Sequence, residues 1–130
     1  GVIYDFVKRL RENSNELVVF GNGEQIKPYL YVKDLVNGII FICNNSNNMY
    51  NVYNIGVSSR TKVKEIARMV IQEMSLKAKI TYTGGDRGWV GDVPRFRYSV
   101  DKLKALGWSP QLSSREAIVH AISDITTQSR

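Results

Sequence analysis

The chain has 130 residues, 43% of them hydrophobic and 23% charged, which suits one modest globular core and is unlike a disordered composition. No apolar run reaches the roughly 18 residues of a membrane span, and GVIYDFVKRL lacks the build of a signal peptide, so a soluble, cytoplasmic chain without membrane contact is expected. The net charge of +6 arises entirely in the second half, since residues 1–59 carry 5 basic and 5 acidic side chains and residues 60–130 carry 13 and 7.

Val2, Ile3, Phe6, Val7 and Leu10 recur at helical spacing, predicting an opening amphipathic helix that ends near the polar ENSNE stretch. LVVF at 17–20 reads as a strand. Asn22-Gly23 is a tight-turn signal and YLYV at 29–32 reads as extended beyond it, so a hairpin-like unit is expected, kept short because Pro28 lacks a ladder donor. From Leu35 to Cys43 the chain is apolar except at Asn37 and Gly38. As a helix, this segment would need contacts on nearly all sides, more than the chain easily supplies. The single Cys43 excludes an internal disulfide and a thiol metal site. Its apolar surroundings predict a buried, inert side chain.

NNSNN at 44–48 is a polar loop, and VYNI at 52–55 reads as a compact strand closed by Gly56. Val63, Ile66, Ala67, Val70, Ile71 and Met74 mark a second amphipathic helix, with the Ser/Thr-rich segment 58–61 as its expected cap. KITYT at 79–83 is a strand leading into a long glycine-bearing loop. Asp101 to Leu106 forms a short helix stopped by Gly107, after which Trp108 packs and Pro110 sets a turn. Ser113 followed by Glu116 makes a capping box for a last helix bearing Ala117, Ile118, Ala121, Ile122 and Ile125.

Two spacings suggest cofactor or catalytic chemistry and fail on context. Gly85, Gly88 and Gly91 satisfy G-x-x-G-x-x-G after a predicted strand. A dinucleotide cradle needs a helix N-terminus just beyond the turn, whereas Trp89 and Pro94 follow here without helical period. A Tyr and a Lys four residues later occur as Tyr4 with Lys8, Tyr29 with Lys33, and Tyr98 with Lys102. In a catalytic pair the ammonium lowers the tyrosine pKa, so that the phenol can exchange a proton with a substrate hydroxyl. These pairs fall on a predicted helix, in a predicted strand and at a strand-to-helix junction, and are read as coincidental. His120 has no carboxylate or nucleophile placed beside it by sequence, so it is read as structural. The basic residues are scattered without an interleaved aromatic run, so no nucleic-acid partner is expected. A site for a phosphorylated ligand and a solvated basic face remain for the excess charge.

Four ordered blocks carry a further signal: GNGEQIKPYLYVKD at 21–34, NVYNIG at 51–56, GGDRGWVGDVPRFRYSVDKLKALGWSP at 84–110 and SSREAI at 113–118. Together they resemble the carboxyl-terminal, substrate-binding portion of the extended short-chain dehydrogenase/reductase family, the NAD-dependent epimerases and dehydratases of nucleotide sugars. The likeness covers almost the whole chain. It implies an α/β fold class, a small mixed α/β substrate-binding domain lacking most of the Rossmann domain. Residues 1–130 would form a single unit, with 30–56 belonging in a complete enzyme to the missing N-terminal Rossmann half. In that enzyme NAD would oxidise the sugar C4 hydroxyl through a Tyr/Lys pair, and the 4-keto intermediate would be re-reduced or dehydrated. The expected reaction is epimerisation of a UDP-sugar; 4,6-dehydration, decarboxylation or a non-catalytic binding or interaction module are the alternatives. This chain begins after the cofactor half, so it is expected to hold the nucleotide sugar, bind no NAD, contribute no catalytic residue and show no catalysis alone.

The resemblance implies substrate-binding roles for Lys27, Asn54, Arg87, Asp92, Arg97, Trp89 and Val2. Lys27 stands where relatives commonly place an arginine on the diphosphate; lysine keeps the charge and loses the bidentate fork. Its alternative is a surface lysine after a turn, and Pro28 beside it replaces a residue that is usually Asp or Ser. Asn54 resembles an asparagine near the nucleotide, able to donate to a phosphate and accept from a hydroxyl, or it serves only as a turn-former before Gly56. In the 84–98 loop, relatives hold phosphate, ribose or base with arginine and an acidic or aromatic residue. Arg87, Asp92 and Arg97 are the candidates here, with Arg95 behind them, while Trp89 and Phe96 stand against positions that are Arg and Tyr in better-known epimerases. Trp89 either stacks on a base or anchors the loop. Val2 would line the nucleotide pocket. The missing half also implies that the 34–43 helix and the 52–55 strand face solvent or meet another chain, giving self-association.

Overall fold

Along the chain the elements are α1 (Val2–Glu12), β1 (Glu16–Val19), β2 (Ile26–Lys27), α2 (Val32–Asn45), β3 (Thr61–Lys62), α3 (Val63–Glu73), β4 (Lys79–Tyr82), α4 (Asp101–Leu106) and α5 (Ser114–Gln128). The structure is a computed structural model, and it describes residues 1–128. The apolar stripe of the opening segment becomes the inner face of α1, burying Phe6, Val7 and Leu10. Helix α1 packs against both α3 and α5. Strand β1 alternates, with Leu17 and Val19 inward and Glu16 and Val18 outward. Its partner is β4, parallel, with Leu17 opposite Ile80. A parallel pair needs a long crossover, and the intervening chain supplies it with α3 on the core side. Leu10, Leu17, Ile66, Val70, Ile118 and Ile122 form the heart of the core.

The hairpin expected around Asn22-Gly23 does not form. The chain does turn there, with Gly21 and Gly23 both at positive φ, but pairing β1 with β4 is what carries Leu17 and Val19 under the helices. Beyond the turn only β2 is regular. It pairs antiparallel with β3, and Ile26 also bridges Arg95. Residues 29–31 carry no strand; Tyr31 is extended and stands just before α2, so that helix begins at Val32 rather than Leu35.

The 52–55 strand does not form either, because no neighbouring edge accepts it. The segment is held instead through side chains: its own Asn54 Nδ2 donates to the Ser99 carbonyl at 3.1 Å, and Lys102 Nζ donates to the Val52 carbonyl at 2.7 Å. Segment 58–61 does not cap α3. The first turn of α3 is closed by the Lys62 N–H donating to Glu65 Oε2 at 2.9 Å. Ser59 Oγ accepts from the Ser114 N–H at 2.8 Å, and Thr61 meets the Ser114 hydroxyl at 2.8 Å, so this segment secures the start of α5. The capping box ahead of α5 is present, with the Ser113 N–H donating to Glu116 at 2.7 Å and the Glu116 N–H donating to Ser113 Oγ at 3.3 Å. Gly107 ends α4 at φ +110°.

Helix α2 adds no residue to the core cluster. Asp34 and Gly38 are its buried positions: Asp34 accepts the Leu112 N–H at 3.1 Å, and Gly38 lets the helix approach the Trp108 ring, which a Cβ would meet at 3.1 Å. Val32, Val36, Ile39 and Ile40 face solvent. Cys43, expected to be buried, is exposed as well, on the same helix as solvent-facing Val36, Ile39 and Ile40. No helix among those residues is long and apolar enough to cross a membrane.

Candidate functional site

A cavity of about 520 Å³ opens between α1, the chain leaving β1, β2 and the loop that follows β4. Its wall includes Val2, Arg9, Phe20, Lys27, Trp89 and Asp92. Helix α1 contributes Val2, Asp5, Phe6 and Arg9, spaced i, i+3, i+4 and i+7 and therefore on one face. Strand β1 delivers Phe20, and β2 delivers Lys27.

The far wall depends on Gly21. At φ +81° it has no room for a side chain, since a Cβ would lie 2.7 Å from the Arg87 carbonyl oxygen. The Gly21 N–H donates to Thr83 Oγ1 at 2.9 Å, and the Gly84 N–H donates to the Gly21 carbonyl at 3.0 Å. These bonds dock the loop after β4 onto the chain after β1. Trp89 and Asp92 are thereby brought to the same cavity as Lys27.

Lys27 Nζ pairs with Asp92 Oδ1, and Asp92 Oδ2 accepts the Gly88 N–H at 3.0 Å. The two side chains are 26% and 6% exposed, so the carboxylate is the more deeply buried partner. Burial pushes the Asp92 carboxyl upward. The Lys27 ammonium and the Gly88 N–H, with the positive charges of Lys27 and Arg87, outweigh that and hold it below the ordinary carboxylate value. Tyr29 borders the same space; burial, and then the Asp92 charge, push its phenol up to about 12, so it stays protonated and able to donate. On the same cavity wall the Arg9 guanidinium lies over the Phe20 ring, 4.3 Å from its centroid, and donates from Nη1 to the Val18 carbonyl at 2.8 Å.

Of the seven residues singled out from sequence, Val2, Lys27, Trp89 and Asp92 meet at this cavity. Arg87 stands just behind, close enough to act on the Asp92 charge, with its Nη1 3.5 Å from the Val90 carbonyl. Asn54 and Arg97 are exposed and lie outside the cavity, Asn54 being engaged with Ser99. Arg9, Asp5, Phe20 and Tyr29 were missed. The signal for the first two was present in the helical period: a helix that offers Val2 to a site offers Asp5 and Arg9 as well.

Gly85, Gly88 and Gly91 do not fit a dinucleotide cradle, because no helix begins between Tyr82 and Asp101 and a Cβ at Gly84 or Gly85 would meet only open space. Two of the coincidental tyrosines are shifted in the direction opposite to a proton-exchanging phenol: Tyr29 as described, and Tyr98 upward through burial. His120 is exposed, its ring 5.5 Å from that of Tyr31.

The model of the NAD dependent epimerase/dehydratase family matches residues 1–56. Over 130 residues the chain is 26% identical to a putative UDP-glucose 4-epimerase of Methanocaldococcus jannaschii, covering 100% of this chain and 40% of that protein. A solved UDP-galactose 4-epimerase superposes with a TM-score of 0.84 at 32% identity, over 98% of this chain and 41% of that one. The UDP-glucose 4-epimerase of Thermotoga Maritima, solved with UDP-glucose, gives a TM-score of 0.81 at 25% identity, over 100% of this chain and 40% of that one. Further relatives carry the names UDP-glucuronic acid decarboxylase and dTDP-D-glucose 4,6-dehydratase. In sequence and in fold the chain is thus similar to NAD-dependent epimerases and dehydratases of nucleotide sugars, the family its ordered blocks resemble. It spans about 40% of the length of the proteins just compared.

Proposed function

We propose that this chain is the nucleotide-sugar binding portion of a cytoplasmic NAD-dependent epimerase and that it holds a UDP-sugar in the cavity between α1 and the loop after β4. The observation that carries the reading is the chemistry gathered in that one space: a lysine, a buried carboxylate, an exposed indole and a phenyl ring around about 520 Å³, within the range of about 300–1,000 Å³ usual for ligand pockets. A nucleoside diphosphate has a part for each. Its phosphates suit Lys27, its ribose hydroxyls can donate to Asp92, and its base has a flat face for Trp89. Val2 supplies apolar wall, and Arg87 adds positive potential behind Asp92. Roles for Asn54 and Arg97 rest on the family resemblance alone.

In the complete enzyme, segment 30–56 would belong to the Rossmann half, and oxidation and re-reduction at the sugar C4 would fall to residues outside these 130. The chain alone therefore binds no NAD, and mixed with NAD and UDP-glucose it forms no UDP-galactose. The relatives named as a dehydratase and a decarboxylase support a second reading for the complete enzyme, in which the same binding portion serves 4,6-dehydration or decarboxylation. Calorimetric titration with UDP, UDP-glucose, dTDP-glucose and short single-stranded DNA tests the binding role. Saturable binding of UDP and UDP-glucose is expected. Tight, salt-sensitive DNA binding without any nucleotide-sugar binding would overturn it.

A further inference from the structure

We infer that Arg9 is the second cation of this cavity and sets its preference for a diphosphate over a bare nucleoside, an assignment that rests on the binding reading above. The argument begins with Lys27. Its ammonium is already paired with Asp92, whose carboxylate is held in the charged form. An incoming diphosphate therefore shares Lys27 with Asp92, and a further cation is needed to offset its charge.

Arg9 is differently placed. It is the other basic side chain on the cavity wall, and no carboxylate among the described residues lies within ion-pair distance of it. The guanidinium is laid against Phe20 at 4.3 Å and fixed by one N–H to the Val18 carbonyl at 2.8 Å. That anchor uses one of its five donors. The plane is set before a ligand arrives, and the remaining donors form the planar fork that matches two phosphate oxygens. Helix α1 holds the stem through Phe6, Val7 and Leu10 in the core, so little ordering is required on binding. The cavity wall thus carries one shared cation and one standing cation.

The test is calorimetry with UDP and with uridine on the unaltered chain, Arg9→Gln and Arg9→Lys, each variant first checked by a cooperative thermal melt. Losing charge-assisted bonds to phosphate should weaken UDP binding about 10- to 100-fold in Arg9→Gln, with uridine affinity unchanged. Arg9→Lys should recover only part of the loss, since it restores the charge without the fork. If Arg9→Gln loses its melt, Arg9→Lys carries the same contrast, namely weaker UDP with unaltered uridine. Equal losses for UDP and uridine would mark a structural role and overturn the assignment. UDP affinity unchanged in both variants would overturn it while leaving the binding role standing. Failure of the unaltered chain to bind UDP would overturn the binding role and this assignment together.

Discussion

Replacing Asp92 by Asn keeps the shape of the side chain and removes its charge. The amide oxygen can still accept the Gly88 N–H, so the loss is confined to the pair with Lys27. A hydrogen bond to a charged group contributes about 1.5–3 kcal/mol; because Lys27 is 26% exposed and can turn toward water, solvent screening brings the expected cost of Asp92→Asn to about 1–2 kcal/mol. For a chain of this length that corresponds to a fall in Tm of roughly 3–10 °C. The converse change should cost more. Lys27→Met leaves a carboxylate that is 6% exposed without its ammonium, and breaking a buried pair in this way approaches about 3 kcal/mol. Thermal melts of both single variants and the double variant give the coupling directly, with about 1 kcal/mol or more of non-additivity expected. Strictly additive losses, or Asp92→Asn costing more than Lys27→Met, would refute the view that a buried, latched carboxylate closes this loop over the cavity.

Gly21→Ala should lower stability by about 2 kcal/mol or more, since the left-handed conformation alone costs a side chain about 1–2 kcal/mol and the new Cβ would press on the Arg87 carbonyl; urea unfolding measures it, and UDP affinity should fall as Trp89 and Asp92 move off Lys27. Acidification should destabilise the chain. Hydrogen bonds from Lys62 and Lys64 hold Glu24 at about 2, and Asp92 is also depressed. Folded values below unfolded ones of about 4 mean that this stabilisation is complete above about pH 5 and is lost as pH falls toward 2. A urea midpoint that rises between pH 5 and pH 3 would contradict it. Ile40, 53% exposed on α2, should tolerate Ile40→Lys within about 0.5 kcal/mol. We expect the unaltered chain to self-associate through that face and the lysine variant to shift toward monomer in sedimentation equilibrium; a concentration-independent monomer for the unaltered chain would refute the expectation.

The sequence by itself determined what depends on neighbours along the chain. The stripe from Val2 to Leu10, the stripe from Val63 to Met74, the Ser113/Glu116 cap and the Gly107 stop all act within a few residues, and α1, α3, α4 and α5 follow from them. The ordered blocks carried the family resemblance, and with it seven site candidates, of which Val2, Lys27, Trp89 and Asp92 line the cavity. Only the tertiary structure decided the rest, because strand pairing, burial and cavity walls are set by surfaces distant in sequence. It paired β1 with β4 instead of folding a hairpin, since that arrangement buries Leu17 and Val19. It turned segment 58–61 toward α5, left Cys43 in solvent on a helix that is covered on one side only, and kept Asn54 and Arg97 away from the cavity. It also set Arg9 on Phe20 in the cavity that Lys27 lines. That juxtaposition arises where a helix, a strand end and a glycine-docked loop converge, and no local pattern encodes the convergence.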